Sequence, residues 1–90
     1  MTKTPKQLER YFKGVANHRR IQILIMLEKN GPLTLIDISD RLKANFKTIS
    51  EHTSRLVKAG LVNKEYKGKF VFHSLSPYGK EMIETFKHFK

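Results

Sequence analysis

A predicted helix over residues 46–58 pairs an apolar stripe with side chains that could bind and read DNA. At 100° per residue, Thr53 and Leu56 fall within about 40° of Ile49, on the side of a buried core. The opposite side and its flanks carry charged or hydrogen-bonding side chains: Lys47, Glu51, Ser54 and Lys58, then Thr48, Ser50 and Arg55. Cations hold DNA phosphates, and polar side chains on a helix in the major groove reach base edges. We therefore predict a recognition helix, with Asn45 before it as its capping residue and a further DNA contact.

Glu51 is an acidic side chain on this otherwise basic and hydroxyl-rich face, and two interpretations are open. Its carboxylate could accept a hydrogen bond from cytosine N4, or it could pair with Arg55 one turn later. The whole outer face could also be simply solvated, as on any amphipathic surface helix. Its position directly after a short capped helix and a tight turn favours recognition.

Lys64, Lys67 and Lys69 form a second candidate DNA contact, a basic wing over residues 64–69. Two runs with the alternation of β-strands flank Lys67 and Gly68, a two-residue connection suited to a hairpin turn with positive φ. A hairpin bearing these lysines could contact phosphates or lie along the minor groove. The alternative is a turn that is only solvated.

The charge of the chain favours a polyanionic partner. Eighteen Lys and Arg against eight Asp and Glu give a formal net charge of +10. Nucleic acid, an anionic membrane surface and a solubilising surface all fit this balance. No apolar run approaches the roughly 20 residues that span a bilayer, and the first residues do not resemble a signal peptide. With no cysteine in the sequence, we expect a cytoplasmic protein with no membrane contact and no disulfide.

The elements that must position these residues can be placed from hydrophobic periodicity and from Gly and Pro punctuation. The predicted order is four helices, a two-stranded hairpin and a last helix, a mainly α fold of the α+β class. The predicted segments are helices over 5–16, 18–29 and 46–58, a short helix capped by Thr34 and Asp37, strands over 61–66 and 69–75, and a helix from Pro77. Two helices across a tight turn followed by a basic hairpin make a winged helix-turn-helix, here one domain over residues 1–90.

Two stretches of the chain resemble the ArsR-type winged-helix regulators. Residues 12–24, FKGVANHRRIQIL, resemble the opening of that family, in which a small-residue turn and Asn or Asp precede Arg and an aliphatic run. Residues 37–42 together with 47–62 are similar to its helix-turn-helix signature. The LSPYG segment over residues 75–79 is similar to the strand-to-helix junction of MarR-like and PadR-like regulators.

The resemblance implies a homodimer whose first and last helices form the interface. Two recognition helices would then enter successive major grooves of a near-palindromic operator. The predicted terminal helices carry matching apolar stripes: Leu8, Tyr11, Phe12, Met82, Ile83, Phe86 and Phe89. These are more apolar side chains than a monomer of 90 residues should leave in water. The alternative is that the two helices pack only on each other within one chain.

The sequence departs from metal-sensing members of that family. Many of them hold a metal through cysteines at the start of the third helix, where this chain has Thr34 and Ile36. Glu84 and His88 lie one turn apart on the last helix, too few ligands for a metal site by themselves. We therefore expect no metal and no cofactor, and no small-molecule effector is evident.

We predict a sequence-specific transcriptional regulator that binds double-stranded DNA as a homodimeric repressor. The alternative is a winged-helix module that binds another protein without sequence-specific DNA binding. An enzyme is not expected, because the sequence has no nucleophile-base pair, no paired carboxylates in an evident cleft and no phosphate loop.

Overall fold

The computed structural model describes residues 3–89, in which five helices accompany a two-stranded antiparallel sheet. The elements are α1 (Pro5–Val15), α2 (His18–Asn30), α3 (Leu35–Leu42), α4 (Phe46–Lys58), β1 (Val62–Lys67), β2 (Phe70–Leu75) and α5 (Pro77–Lys87). This is the predicted order, and α4 begins and ends at the predicted residues. The α3–α4 pair followed by the hairpin confirms the winged helix-turn-helix fold.

Each helix begins at a side chain that satisfies its free backbone amides. The side-chain oxygens of five capping residues accept from amides in the first turn: Thr4, Asn17, Thr34, Asn45 and Ser76. Unpaired amides at a helix start are otherwise costly to bury, so these caps determine where the helices begin. The predicted Thr34–Asp37 capping box is present, with both of its hydrogen bonds formed.

The core lies around α2, although the apolar sequence of this helix does not bury it on every side, since Ile25 is 37% exposed. Ile23 and Leu24 of α2 have no exposed surface, and Ile38 of α3 and Ile49 of α4 are equally buried against them. Each such side chain contributes about 1.5–3 kcal/mol by leaving water. The helix-turn-helix therefore rests on a rigid apolar base.

The hairpin turn lies one residue later than predicted. Lys67 pairs with Phe70, so the two turn residues are Gly68 and Lys69 rather than Lys67 and Gly68. Gly68 has a φ of 60°, whereas Lys69 has no positive φ. Glycine at the first turn position alone is typical of a type II′ turn, which accepts an ordinary residue in second place.

A short bridge to Leu33 ties the hairpin to the core. The backbones of Leu33 and His73 exchange two hydrogen bonds, at 3.0 and 2.7 Å, just before α3 begins. Beyond Val62 every residue of β1 is exposed, so the hairpin projects from the domain as a wing. The bridge therefore joins the base of the wing to the helix-turn-helix.

Candidate nucleic-acid interface

The two faces of α4 are divided as the sequence predicts. Ile49, Thr53 and Leu56 are buried, and the opposite side faces solvent. The candidate DNA-binding residues of α4 lie on that side or beside it: Lys47, Thr48, Glu51, Arg55 and Lys58 are exposed, and Ser50 and Ser54 are half-buried. Within residues 3–89, no ion pair shorter than 4.0 Å joins Glu51 to Arg55. The carboxylate of Glu51 is therefore not held by its neighbour one turn later.

Asn45 acts in the structure as the N-cap of α4. Its Oδ1 accepts from the Thr48 amide at 3.2 Å. A cap of this kind positions the first turn of the recognition helix. Asn45 itself is exposed beside that turn, so any contact with DNA would come in addition to the cap.

A groove between α4, the start of α3 and the wing brings hydroxyl and ammonium groups together beside apolar side chains such as Ile36 and Phe70. We call it the wing groove, and its polar rim is formed by Ser50, Ser54, Lys64, Tyr66 and Lys69. Hydroxyls and lysines are common partners of DNA phosphates. The sequence predicted the serines and lysines separately, and the structure brings them together.

The floor of the wing groove contains two buried polar side chains, Thr53 and His73. Thr53 Oγ1 has no hydrogen-bond partner, whereas His73 Nδ1 lies 3.2 Å from the Leu33 carbonyl oxygen. Burial lowers the pKa of His73, an effect only partly offset by its hydrogen bond to Leu33. The histidine is therefore neutral at neutral pH and belongs to the packing of the groove floor.

Aromatic rings at the tip of the wing were missed by the sequence analysis. Tyr66 is 70% exposed and Phe70 is 53% exposed, close to the predicted lysines. Lys69 Nζ lies 5.8 Å from the centre of the Phe70 ring, and Lys67 Nζ lies 5.9 Å from that of Phe72. Lys67 also lies 3.6 Å from Glu65. The aromatic residues interspersed with lysines over residues 64–72 could have indicated these exposed rings from the sequence.

Arg20 links the recognition helix to the end of α1. Its Nε donates to His52 Nδ1 at 3.3 Å, and its Nη1 donates to the Gly14 carbonyl at 3.1 Å. Burial, followed by the charge of Arg20, lowers the pKa of His52. The neutral ring can then accept the hydrogen bond that holds α4 beside α1.

The two terminal helices leave part of their apolar surface open. Tyr11, Met82 and Ile83 of the predicted dimer interface are buried within the single chain. The other predicted interface residues retain accessible surface: Leu8 and Phe86 are half-buried, Phe12 is 53% exposed and Phe89 is 80% exposed. The stripe is therefore partly intramolecular, because one side of it packs inward and the other remains open.

Residues 3–89 contain neither a membrane-spanning helix nor a cluster of metal ligands. No helix in that range is long and apolar enough to cross a membrane. No group of three or more His, Cys, Asp or Glu side chains there is arranged to hold a metal ion. Glu84 and His88 therefore gain no further ligand from the part of the chain that the structure describes.

Comparison with known proteins gives a family and close relatives. The family model for bacterial regulatory proteins of the arsR family matches residues 17–64. The transcriptional activator HlyU of Vibrio cholerae serotype O1 is 41% identical over 73 residues, which cover 80% of this chain and 67% of that protein. The arsenical resistance operon repressor of Escherichia coli (strain K12) is 33% identical over 67 residues, 74% of this chain and 57% of that protein.

A solved structure shares the fold over nearly the whole chain. HlyU from Vibrio cholerae N16961 superimposes with a TM-score of 0.84 and 36% sequence identity, covering 98% of this chain and 96% of that chain. The match extends across both terminal helices and the wing, well beyond residues 17–64.

Proposed function

The chain belongs to the ArsR family of bacterial regulatory proteins, and we propose that it reads DNA as a homodimer through α4 and the wing. The family consists of transcriptional regulators, so the chain is a DNA-binding transcriptional regulator rather than an enzyme. The observation that carries the proposed mode of binding is the divided surface of α4. Its buried side fixes the helix on the core, and its polar side continues into a groove bordered by lysines.

We assign two kinds of DNA contact to this surface. Lys47, Glu51 and Ser54 project from the exposed side of α4 and are proposed to reach base edges in the major groove. The remaining candidates are proposed to hold the backbone: Asn45, Thr48, Ser50, Arg55, Lys58, Lys64, Lys67 and Lys69. Because Glu51 is not paired with Arg55, its carboxylate is free to accept from cytosine N4.

The wing groove is proposed to receive one sugar-phosphate strand. A helix in the major groove and a wing at the neighbouring minor groove must lie on either side of a backbone strand. Lys64 and Lys69 line the groove from the wing, and Ser50 lines it from α4. These groups match the charge and hydrogen-bonding needs of phosphate oxygens. Ser54 lies on the same side of α4 and is left to the base edges.

The exposed part of the terminal helices supports a homodimer. Phe12 and Phe89 are large apolar side chains that a monomer leaves in water, and they flank the half-buried Leu8 and Phe86. A symmetric pair of chains binds two half-sites related by the same two-fold axis, which is a near-palindromic operator. Repression follows if such an operator overlaps a promoter, since occupying it requires no further domain.

The test begins with selection of a preferred duplex from a random-sequence pool by the full chain. Fluorescence anisotropy then compares that duplex with a scrambled one over a salt series. Lys47→Ala should reduce the preference for the selected duplex. Lys67→Ala should weaken binding to both duplexes alike, because it removes a phosphate contact. The slope of log K against log salt should decrease in magnitude by about 0.9.

The two variants control for each other, since both remove one lysine charge. If neither changes the affinity for DNA, the assigned faces are wrong. If the chain enriches no sequence from the pool, sequence-specific recognition itself fails.

A further inference from the structure

A second basic groove lies where the C-terminal ends of α1 and α4 meet. We call it the α1–α4 groove, and its lining residues are Arg10, Lys13, Gly14, Arg20, Arg55, Lys58 and Ala59. Five of these seven residues are Lys or Arg, and none is acidic. Arg10 and Lys13 are not among the DNA-binding residues predicted from the sequence.

The groove is built by close packing of the two helices. A side-chain carbon at Gly14 would collide with Ala59, so the helices approach each other at a point where only glycine fits. Arg20 donates to the carbonyl oxygens of Lys13 and Gly14 at 3.4 and 3.1 Å and holds His52 of α4 as well. The cations of α1 are therefore held at a defined place beside α4.

Most of the positive charge in the α1–α4 groove is not neutralised by acidic side chains. Among residues 3–89, no ion pair within 4.0 Å involves Arg10, Arg55 or Lys58. Lys13 lies 3.6 Å from Glu9, but both side chains are largely exposed, and such pairs are weak. The partial negative charge at two helix ends offsets only part of so many cations. A polyanion bound here would gain their attraction.

The α1–α4 groove is continuous with the surface proposed to read DNA. Arg55 and Lys58 line both this groove and the outer face of α4, where Ser50 and Ser54 lie beside them. The two serines also line the wing groove. At 100° per residue, Ser50 and Arg55 lie on opposite flanks of the outer face. The wing and the end of α1 therefore border α4 on its two sides.

We propose that the α1–α4 groove binds DNA backbone phosphates on the side of the recognition helix opposite to the wing, with Arg10 and Lys13 as the new contacts. This inference rests on the proposed function, because it places α4 in the major groove. A helix in that groove has a sugar-phosphate strand on each side, so each strand would have its own basic groove. The added contacts are independent of base sequence and raise affinity for any duplex.

The test uses the full chain and the duplex that it selects from a random-sequence pool. The double variant Arg10→Gln, Lys13→Gln removes two charges from the groove. Its matched control, Lys29→Gln, Lys80→Gln, also removes two charges. Both of these lysines are exposed and lie outside the wing groove, the α1–α4 groove and the outer face of α4. Anisotropy over a KCl series gives the salt slope of each variant. Circular dichroism and sedimentation check that fold and oligomeric state are unchanged.

In the groove variant, the slope of log K against log salt should decrease in magnitude by about 1.8, which is about 0.9 for each lost phosphate contact. The control should leave the slope at the wild-type value, and selected and scrambled duplexes should lose affinity alike. Equal changes in both double variants would mean that only overall charge matters, which overturns the groove.

A second arm distinguishes DNA phosphates from a free anion. Inorganic phosphate is titrated into the chain without DNA, followed by NMR shifts of the backbone amides of residues 10–14 and 55–59. Saturable binding there, together with an unchanged salt slope in the groove variant, would overturn the assignment to DNA. Loss of sequence preference in Lys47→Ala with no effect of the groove variant would overturn the groove alone. A wild-type chain that binds no duplex would overturn the proposed function as well.

Discussion

His73 shows how a single residue links the wing to the helix-turn-helix. It is 2% exposed, its backbone pairs with Leu33, and its ring lies beneath the wing groove next to Thr53. A buried imidazole is tolerated here because it is neutral and hydrogen-bonded through Nδ1. A charged ring at the same place would instead be repelled by the nearby ammonium group of Lys64. The base of the wing therefore depends on the protonation of this side chain.

The folded chain should lose stability as the pH falls below neutral. Burial lowers the pKa of His73 and of His52 in the folded state, whereas unfolding returns both to about 6.5. The unfolded chain then binds more protons, so the stabilisation is complete above about pH 6.5 and is lost as the pH falls through the folded-state pKa values. Urea denaturation midpoints between about pH 7.5 and 5 measure this loss.

A pair of variants assigns the effect to the buried ring. His73→Gln should be less stable than wild type at neutral pH and should show a weaker dependence on pH. His88→Gln changes an exposed histidine at the end of α5 and should follow the wild-type curve. A pH dependence in His73→Gln as steep as that of wild type would contradict this explanation.

At the scale of elements, the start of α4 combines a structural cap with a DNA-facing position. Asn45→Ala removes the acceptor for the Thr48 amide and should lower the free energy of unfolding by about 0.5–2 kcal/mol. Asn45→Asp keeps an acceptor and adds a negative charge favoured at a helix N-terminus, so its stability should be at least that of wild type. Its affinity for DNA should nevertheless fall, since the new charge lies beside phosphates. Denaturation and anisotropy on the same samples separate the two effects, and an Asn45→Ala chain as stable as wild type would refute the role as a cap.

The elements were predictable where local signals determine them. Asn45 and Gly60 bracket α4, so its bounds followed from capping and chain-breaking residues alone. The hairpin turn was placed one residue early, because a glycine can occupy either position of a two-residue turn and the strand register decides which. The α1–α4 groove could not be predicted, since Lys13 and Arg55 are far apart in sequence and meet only through the packing of Gly14 on Ala59.

The sequence also could not predict how the terminal helices pack. An apolar stripe has one appearance in the sequence whether it packs inside the chain or against a second copy. In the structure, Tyr11 packs on Tyr78 with ring centres 5.0 Å apart, whereas Phe12 on the next position faces solvent. Which residues of the stripe pack inside the chain and which remain exposed depends on the angle at which α1 meets α5. Hydrophobic periodicity alone does not determine that angle.

At the scale of the whole molecule, size and surface both favour a pair of chains on DNA. The domain measures 40 × 30 × 21 Å. Recognition helices that enter successive major grooves are about 34–36 Å apart, so one domain with one recognition helix reads a single half-site. Joining two domains through α1 and α5 would also remove Phe12 and Phe89 from water. Dimerisation would thus supply a recognition helix for the second half-site and would bury the exposed side chains of Phe12 and Phe89.

The charge of the molecule opposes this pairing of chains. A formal charge of +10 per chain makes two chains repel each other, and apolar contact must exceed that repulsion. Added salt should therefore favour the dimer while it weakens binding to DNA, because screening acts on both interactions. The dimer and its complex with DNA should therefore respond to salt in opposite directions.

Phe12→Glu should separate the dimer without unfolding the chain, because this side chain is exposed and outside the core. Burial of one phenylalanine contributes about 1.5–3 kcal/mol, and a symmetric interface contains two copies. The dimer dissociation constant should then rise at least about a hundredfold, as measured by sedimentation equilibrium. Phe46→Glu places the same charge at another exposed phenylalanine, on α4, and should leave sedimentation unchanged. If Phe12→Glu sediments as wild type does, the interface lies elsewhere, and the two recognition helices cannot have the spacing that α1 and α5 would give them.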